Sequence, residues 1–270
     1  MTGLSLSQPA TPSPPLTPLL ALRDFTGVAK RNLLRSIRTP QLLAYTLEPV
    51  LLLLVFRYIF SGAIKAPGGG YTAFMVPAVF LITVLVGSMT SAIGIAEDLK
   101  SGMIDRFRSL PMARSAVLTG RSLTDLARNV ISLAVMVGLG IAVGYRFHSD
   151  AGRITLGMLL ILAFGYSFSW LNTAIGISAR DPESAQNAAV GPAFLLMFAG
   201  NAIVPASTLP GWLQPFARNQ PLSVTVSAVR GLFGGGAAAH DAWLSLAWSA
   251  GITVVCFLAS YALYQRAAAR

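Results

Sequence analysis

The residues of this chain best suited to engage another molecule lie in its densest block of charge: Glu97-Asp98-Leu99-Lys100-Ser101-Gly102-Met103-Ile104-Asp105-Arg106-Phe107-Arg108-Ser109-Leu110-Pro111. Ten of the thirty Asp, Glu, Lys and Arg residues fall between Glu97 and Arg128. Within the block Leu99, Met103, Phe107 and Leu110 recur at spacings of four, four and three. That is the period of an amphipathic helix, with Pro111 as its expected stop. Such a helix has charge on one side and an apolar anchor on the other, so its expected chemistry is docking.

Other chemistry is sparse. No Gly-x-x-x-x-Gly-Lys-[Ser/Thr] loop occurs, so ATP cannot be held here in a P-loop. His148 and His240 have no partner at metal-ligand spacing and read as solvated loop residues. The run Gly165-Tyr166-Ser167-Phe168-Ser169 has the outline of a hydrolase elbow, but no histidine lies in any apolar run to serve as its base. The single cysteine, Cys256, excludes a disulfide framework and reads as a packing residue. No cofactor and no metal are expected in this chain.

Elements that could position the charged block follow from composition. Of the 270 residues, 54% are hydrophobic and 11% charged, and mean hydropathy is +0.64. Ordinary soluble domains carry roughly 25% charge, so the expected class is an all-α integral membrane protein. Residues 1–18, rich in Ser, Pro and Thr, read as a disordered tail. Over 19–40, Leu22, Ala29, Leu33 and Ile37 fall opposite Arg23, Lys30, Arg31, Arg35 and Arg38. That suits a helix lying in anionic headgroups, with a soluble amphipathic helix on a partner as the other reading.

The transmembrane region, 41–270, holds six apolar runs near the length a bilayer needs, at 42–60, 72–96, 130–147, 154–177, 185–204 and 242–264. Gly191-Pro192 and Gly200-Asn201 interrupt the fifth, so five spans with a re-entrant segment stay open. With the N terminus inside, the inner segments hold fourteen Lys and Arg and the outer ones five; the asymmetry orients both termini to the cytoplasm. The net charge of +10 then belongs to topology and membrane lipid, and nucleic acid is not an expected partner.

Glu48 and Arg57 lie inside the first run, half a turn out of phase, so they cannot pair on one helix. Arg57 is placed to snorkel to the headgroups. Glu48 faces a polar cavity or a partner helix, is satisfied near the interface, or marks a misplaced boundary. Gly140-xxx-Gly144 and the stripe Gly87, Ser91, Gly94 suggest close helix contacts, within the chain or at a dimer seam.

The run Glu97 to Arg114, followed by Gly120-Arg121-Ser122-Leu123-Thr124-Asp125-Leu126-Ala127-Arg128, resembles the first cytoplasmic loop of type-2 ABC transporter permeases. Among these it is most similar to the daunorubicin/doxorubicin-resistance permeases. The segment Pro205-Ala206-Ser207-Thr208-Leu209-Pro210-Gly211-Trp212-Leu213-Gln214-Pro215-Phe216, continuing to Arg230-Gly231, resembles them too.

The resemblance implies six spans, an N-terminal interfacial helix, a cytoplasmic coupling helix and short outer re-entrant helices. It also implies two partners: a second permease subunit, alike or related, and an ATP-binding cassette subunit that carries ATP and magnesium. Glu97, Gly102, Arg106, Leu110 and Pro111 would couple to that ATPase, with Glu97 and Asp98 at the N terminus of the coupling helix. Arg121 and Asp125 would form an i,i+4 pair on the climb into span three. Glu48, Asn201 and Trp212 are the candidates for the substrate path. The implied function is ATP-driven export of a hydrophobic or amphipathic drug across the cytoplasmic membrane of a prokaryote. Export of a lipid, glycolipid or polyketide, or a membrane anchor that transports nothing, are the alternatives.

Overall fold

The computed structural model describes residues 40–60, 70–101 and 114–268. The tail at 1–18 and, save for Pro40, the interfacial helix at 19–40 lie outside the described residues. Gly102, Arg106, Leu110 and Pro111 also lie outside them, as do the side chains of Glu48 and Arg121.

All the described elements are helical. Helix α1 (Pro40–Val55) passes into a π-helical turn at Phe56–Phe60. Helices α2 (Tyr71–Ser88) and α3 (Thr90–Lys100) form one rod broken at Met89. Then come α4 (Arg114–Ala142), α5 (Ala151–Ser178) and α6 (Pro182–Phe198). The short α7 (Gln214–Asn219) and α8 (Pro221–Gly234) precede α9 (Ala239–Ala268).

The rod is central because its sequence is apolar on every side, the pattern of a helix with neighbours all round. From Phe74 to Val86 every residue of α2 is buried. Helix α5 packs along α2 and α3, and α9 covers α5. Phe80, Tyr145, Phe147 and Phe233 interlock edge to face at one end, with Phe147 and Phe233 centroids 5.0 Å apart. Outermost is α9, whose Val254, Val255 and Leu258 are 57%, 65% and 59% exposed. In water that stripe would be costly; in lipid it is the natural outer face.

Among the described residues, four stretches are long and apolar enough to cross a membrane: Tyr71–Lys100, Ser122–Ala142, Ala151–Ser178 and Ala239–Gln265. The molecule is thus an integral, multi-pass helical membrane protein. Two helices end short of the sequence expectation. Helix α4 stops at Ala142, short of Phe147, because Gly144 takes φ +97° and closes a C-terminal cap. Its N–H donates to Ile141 O at 3.0 Å and that of Tyr145 to Gly140 O at 2.9 Å, which satisfies carbonyls the helix end would leave open. Helix α6 runs through Gly191-Pro192 and ends at Phe198, not Val204.

The small residues serve packing within the chain. A Cβ on Gly140 would press on Phe80 and Val76, and one on Gly176 of α5 would clash with the Ala92 carbonyl of α3. Cys256 is buried beside Trp170 and Phe257, and Ser167 donates to Phe164 O of its own helix at 2.7 Å.

Candidate functional site

The charged block begins where the rod ends. Glu97 and Lys100 are exposed, while Asp98 and Leu99 are half-buried. Leu99 packs with Ile95 beside Trp170, Ile177 and Tyr264, so the apolar stripe does anchor its first member. The expected placement of Glu97 and Asp98 at a helix N terminus is corrected: they occupy the last turn of α3, which ends at Lys100. The apolar run of α2 and Thr90–Ala96 carries the helix four residues past the expected end of the span. Ser101 closes it, its N–H donating to Glu97 O at 2.9 Å and its hydroxyl to Asp98 O at 3.1 Å.

Near this end lies the start of α6. The Asp181 carboxylate accepts from Ser184 N–H at 2.8 Å, and the Asp181 N–H donates to Ser184 Oγ at 3.1 Å, forming a capping box. Ser184's backbone N–H, then its hydroxyl, and more weakly Lys100, hold the Asp181 carboxyl below its ordinary range. Arg180 and Glu183 beside it are exposed. The rod's end and the α5–α6 turn therefore present Glu97, Lys100, Arg180 and Glu183 together, a mixed-charge surface suited to a protein partner.

A buried polar seam lies above this surface, where the rod breaks. Ser91 Oγ donates to Asp125 Oδ2 of α4 at 2.6 Å, and Arg128 pairs with Asp125 at 3.3 Å and donates to Thr90 Oγ1. Asn172 of α5 donates to Ser88 Oγ at 2.9 Å. Asn129, 1% exposed, fits between Gly87 and Gly165. The stripe Gly87, Ser91 thus faces α4, where Asp125 and Asn129 stand one turn apart. Arg128 is a partner of Asp125 that the sequence reading did not name.

Of the substrate-path candidates, the side chains of Asn201 and Trp212 are described and that of Glu48 is not. Asn201 sits in the corner between α6 and α8: its N–H donates to Ser223 Oγ and its Nδ2 to Ser227 Oγ, each at 3.0 Å. Trp212 is 80% exposed before α7. The residue that organises the corner is Arg230, counted from sequence as an outer cation. Its guanidinium donates to the carbonyls of Phe74, Asn201 and Ala202 at 2.8, 3.0 and 3.0 Å and lies 3.5 Å from the Phe74 ring centre. An arginine among Val226, Val229, Leu232 and Phe233 was the available signal. Gln220, 3% exposed, ties α8 to α6 through Leu196 O at 2.8 Å. Arg153 likewise donates to the carbonyls of Gly231 and Gly236 at the far end of α8.

Between the rod and α6 runs a groove of about 110 Å³ lined by Val86, Met89, Ile93, Gln186, Val190, Phe194 and Met197. It is apolar save for one amide and opens on the face where Phe194 and Leu195 are exposed.

A central apolar rod with a charged end, flanked by spanning helices and a broken helical corner, defines a polytopic helical membrane protein. Residues 23–233 match the ABC-2 type transporter family, and the chain belongs to it. It is 33% identical over 225 residues to the daunorubicin resistance ABC transporter permease protein DrrB1 of Streptomyces coeruleorubidus, covering 83% of this chain and 80% of that one. It is 28% identical over 174 residues to the doxorubicin resistance ABC transporter permease protein DrrB of Mycobacterium tuberculosis, covering 64% and 60% of the two chains. The family match, residues 23–233, spans both the charged block and Arg230.

Proposed function

We propose that this chain is the permease subunit of an ATP-driven exporter of hydrophobic or amphipathic drugs, powered by a separate ATP-binding cassette subunit docked at the Lys100 end of the rod. The observation that carries this reading is the continuity of the rod. One buried, apolar helical column joins a charged surface, which no residue here can energise, to a groove beside α6. The drug-resistance relatives support the class of cargo.

In this reading α1, the rod, α4, α5, α6 and α9 are six spans of the cytoplasmic membrane, with both termini inside. Helix α6 has 17 residues, about 26 Å at 1.5 Å per residue, enough to cross a thin core. Helices α7 and α8 are the outer re-entrant pair. Glu97, with Gly102, Arg106, Leu110 and Pro111, meets the ATPase. The groove is small beside the roughly 300–1,000 Å³ of a drug site, so a second permease subunit completes the path.

The test is reconstitution with the ATP-binding subunit in lipid vesicles, with daunorubicin as probe. The expected result is no ATP hydrolysis by this chain alone and daunorubicin-stimulated hydrolysis by the complex. Glu97→Lys together with Arg106→Glu should lower transport by about tenfold or more, as rim charge reversals at a docked interface do. Unchanged transport in that double variant would remove the coupling assignment. A complex that binds the ATPase without stimulation or transport would instead be an anchor.

A further inference from the structure

The rod's break and the seam beside it carry a consequence that no helix-packing pattern requires. At Met89 the chain stays in the right-handed helical region (φ −63°, ψ −25°), yet the bonding tightens: Met89 N–H donates to Val86 O at 3.1 Å and Ala92 N–H to Met89 O at 3.0 Å. The hydroxyls of Ser88 and Thr90 take the carbonyls of Leu85 and Gly87 at 2.6 and 2.8 Å. Short three-residue bonding and hydroxyl back-bonding after a Gly-Ser pair are recognised causes of a helix hinge.

Polar contacts between helices gather at this hinge and on its Lys100 side. Asp125 holds Ser91 and Arg128 holds Thr90, and the two are paired with each other. Above the hinge α2 is packed mainly by apolar side chains as far as its first turn, where Arg230 meets the Phe74 carbonyl. Asp125 is 3% exposed, and a buried ion pair is a poor way to add stability where apolar packing already serves. What its two members do, each bonded to one residue of α3, is fix the register of α3 against α4. Helices α3 and α4 are the two flanks of the charged block, and Met89 itself lines the groove.

We propose that Asp125 and Arg128 are positioning residues: they clamp α3 to α4 into one lever, so that displacement at the Lys100 end turns the rod about Met89 and reshapes the groove. The inference rests on the docking function proposed above. Asp125 and Arg128 touch neither ATP nor cargo; they act through the geometry of α3.

The experiment uses the full chain with its ATP-binding subunit in vesicles and reads daunorubicin moved per ATP hydrolysed. Asp125→Asn and Arg128→Gln should each lower that ratio about tenfold, and the double variant should be no worse than the worse single, because both remove one clamp. Arg128→Lys should recover part of the ratio. Co-purification of the ATPase should be unchanged throughout. Should the α4 variants fail to accumulate, Thr90→Val with Ser91→Ala breaks the clamp from the other side and should lower the ratio alike. A parental ratio in either set, or losses that multiply in the double variant, would overturn the clamp. An unaltered chain that fails to retain the ATPase overturns the docking function instead.

Discussion

Among the described residues, two polar groups at helix contacts are built from different partners. At the α6–α8 corner Arg230 is bound by main-chain carbonyls of two other segments. At the α3–α4 seam the contacts between helices run from side chain to side chain. One of these carbonyls is in the first turn of α2 and two are in the turn after α6, and the backbone fixes where they point, so the corner has one geometry. Side-chain contacts hold only while both partners are present, so the seam clamps α3 to α4 and a single substitution opens it. The corner is an anchor, and the seam is the clamp beside the joint at Met89.

Arg230→Met offers the sharpest break. It removes the donor shared by three carbonyls at a half-buried corner and should destabilise the solubilised protein by about 3 kcal/mol, read as a lowered melting temperature. Arg230→Lys should recover only part, because an ammonium lacks the planar fork that meets several carbonyls at once. If Arg230→Met melts like the parent, the corner is no anchor.

Gly176→Ala acts nearer the joint. Its Cβ would meet the Ala92 carbonyl and Ile95, pushing α5 from α3 at a cost of about 1–3 kcal/mol. A parental melting temperature would mean that α3 is held by side chains alone. Asp125→Asn should cost less, about 1 kcal/mol, while its transport per ATP falls; equal stability losses at Asp125 and Arg230 would erase the distinction between clamp and anchor.

The smallest effect belongs to Asp181. Its carboxyl is held below the ordinary range by Ser184, so the cap it makes is fully present above that range and is lost as pH falls through the lowered value. Faster amide exchange at Ser184 and Ala185 is expected in Asp181→Ala at neutral pH, and in the parent only in acid. Exchange unchanged in the variant would show that α6 needs no such cap.

Much of the fold could be read in advance because lipid leaves few options: long apolar runs must be helices, and the central rod, α4, α5 and α9 lie near their expected places. Boundaries went astray where glycine geometry or rod continuity intervened, at Gly144 and at Glu97. The site was less legible. Arg230 was counted among loop cations, since a count by segment does not see that α8 turns back into the core. Asp125 was matched to Arg121 by helical spacing; the Arg121 side chain lies outside the described residues, and Arg128, three residues on, is a further partner that spacing did not single out.

The amino-acid sequence alone determined that the chain lives in a membrane, that it has one charged block among apolar helices, and that it lacks a loop for ATP. These follow from composition and local spacing, which need no partner in space. Only the tertiary structure decided which charge is buried against what. Ser91 and Asp125 are 34 positions apart, and Phe74 and Arg230 are 156 apart. Contacts at such separations depend on how helices are stacked, and no local pattern records the stacking.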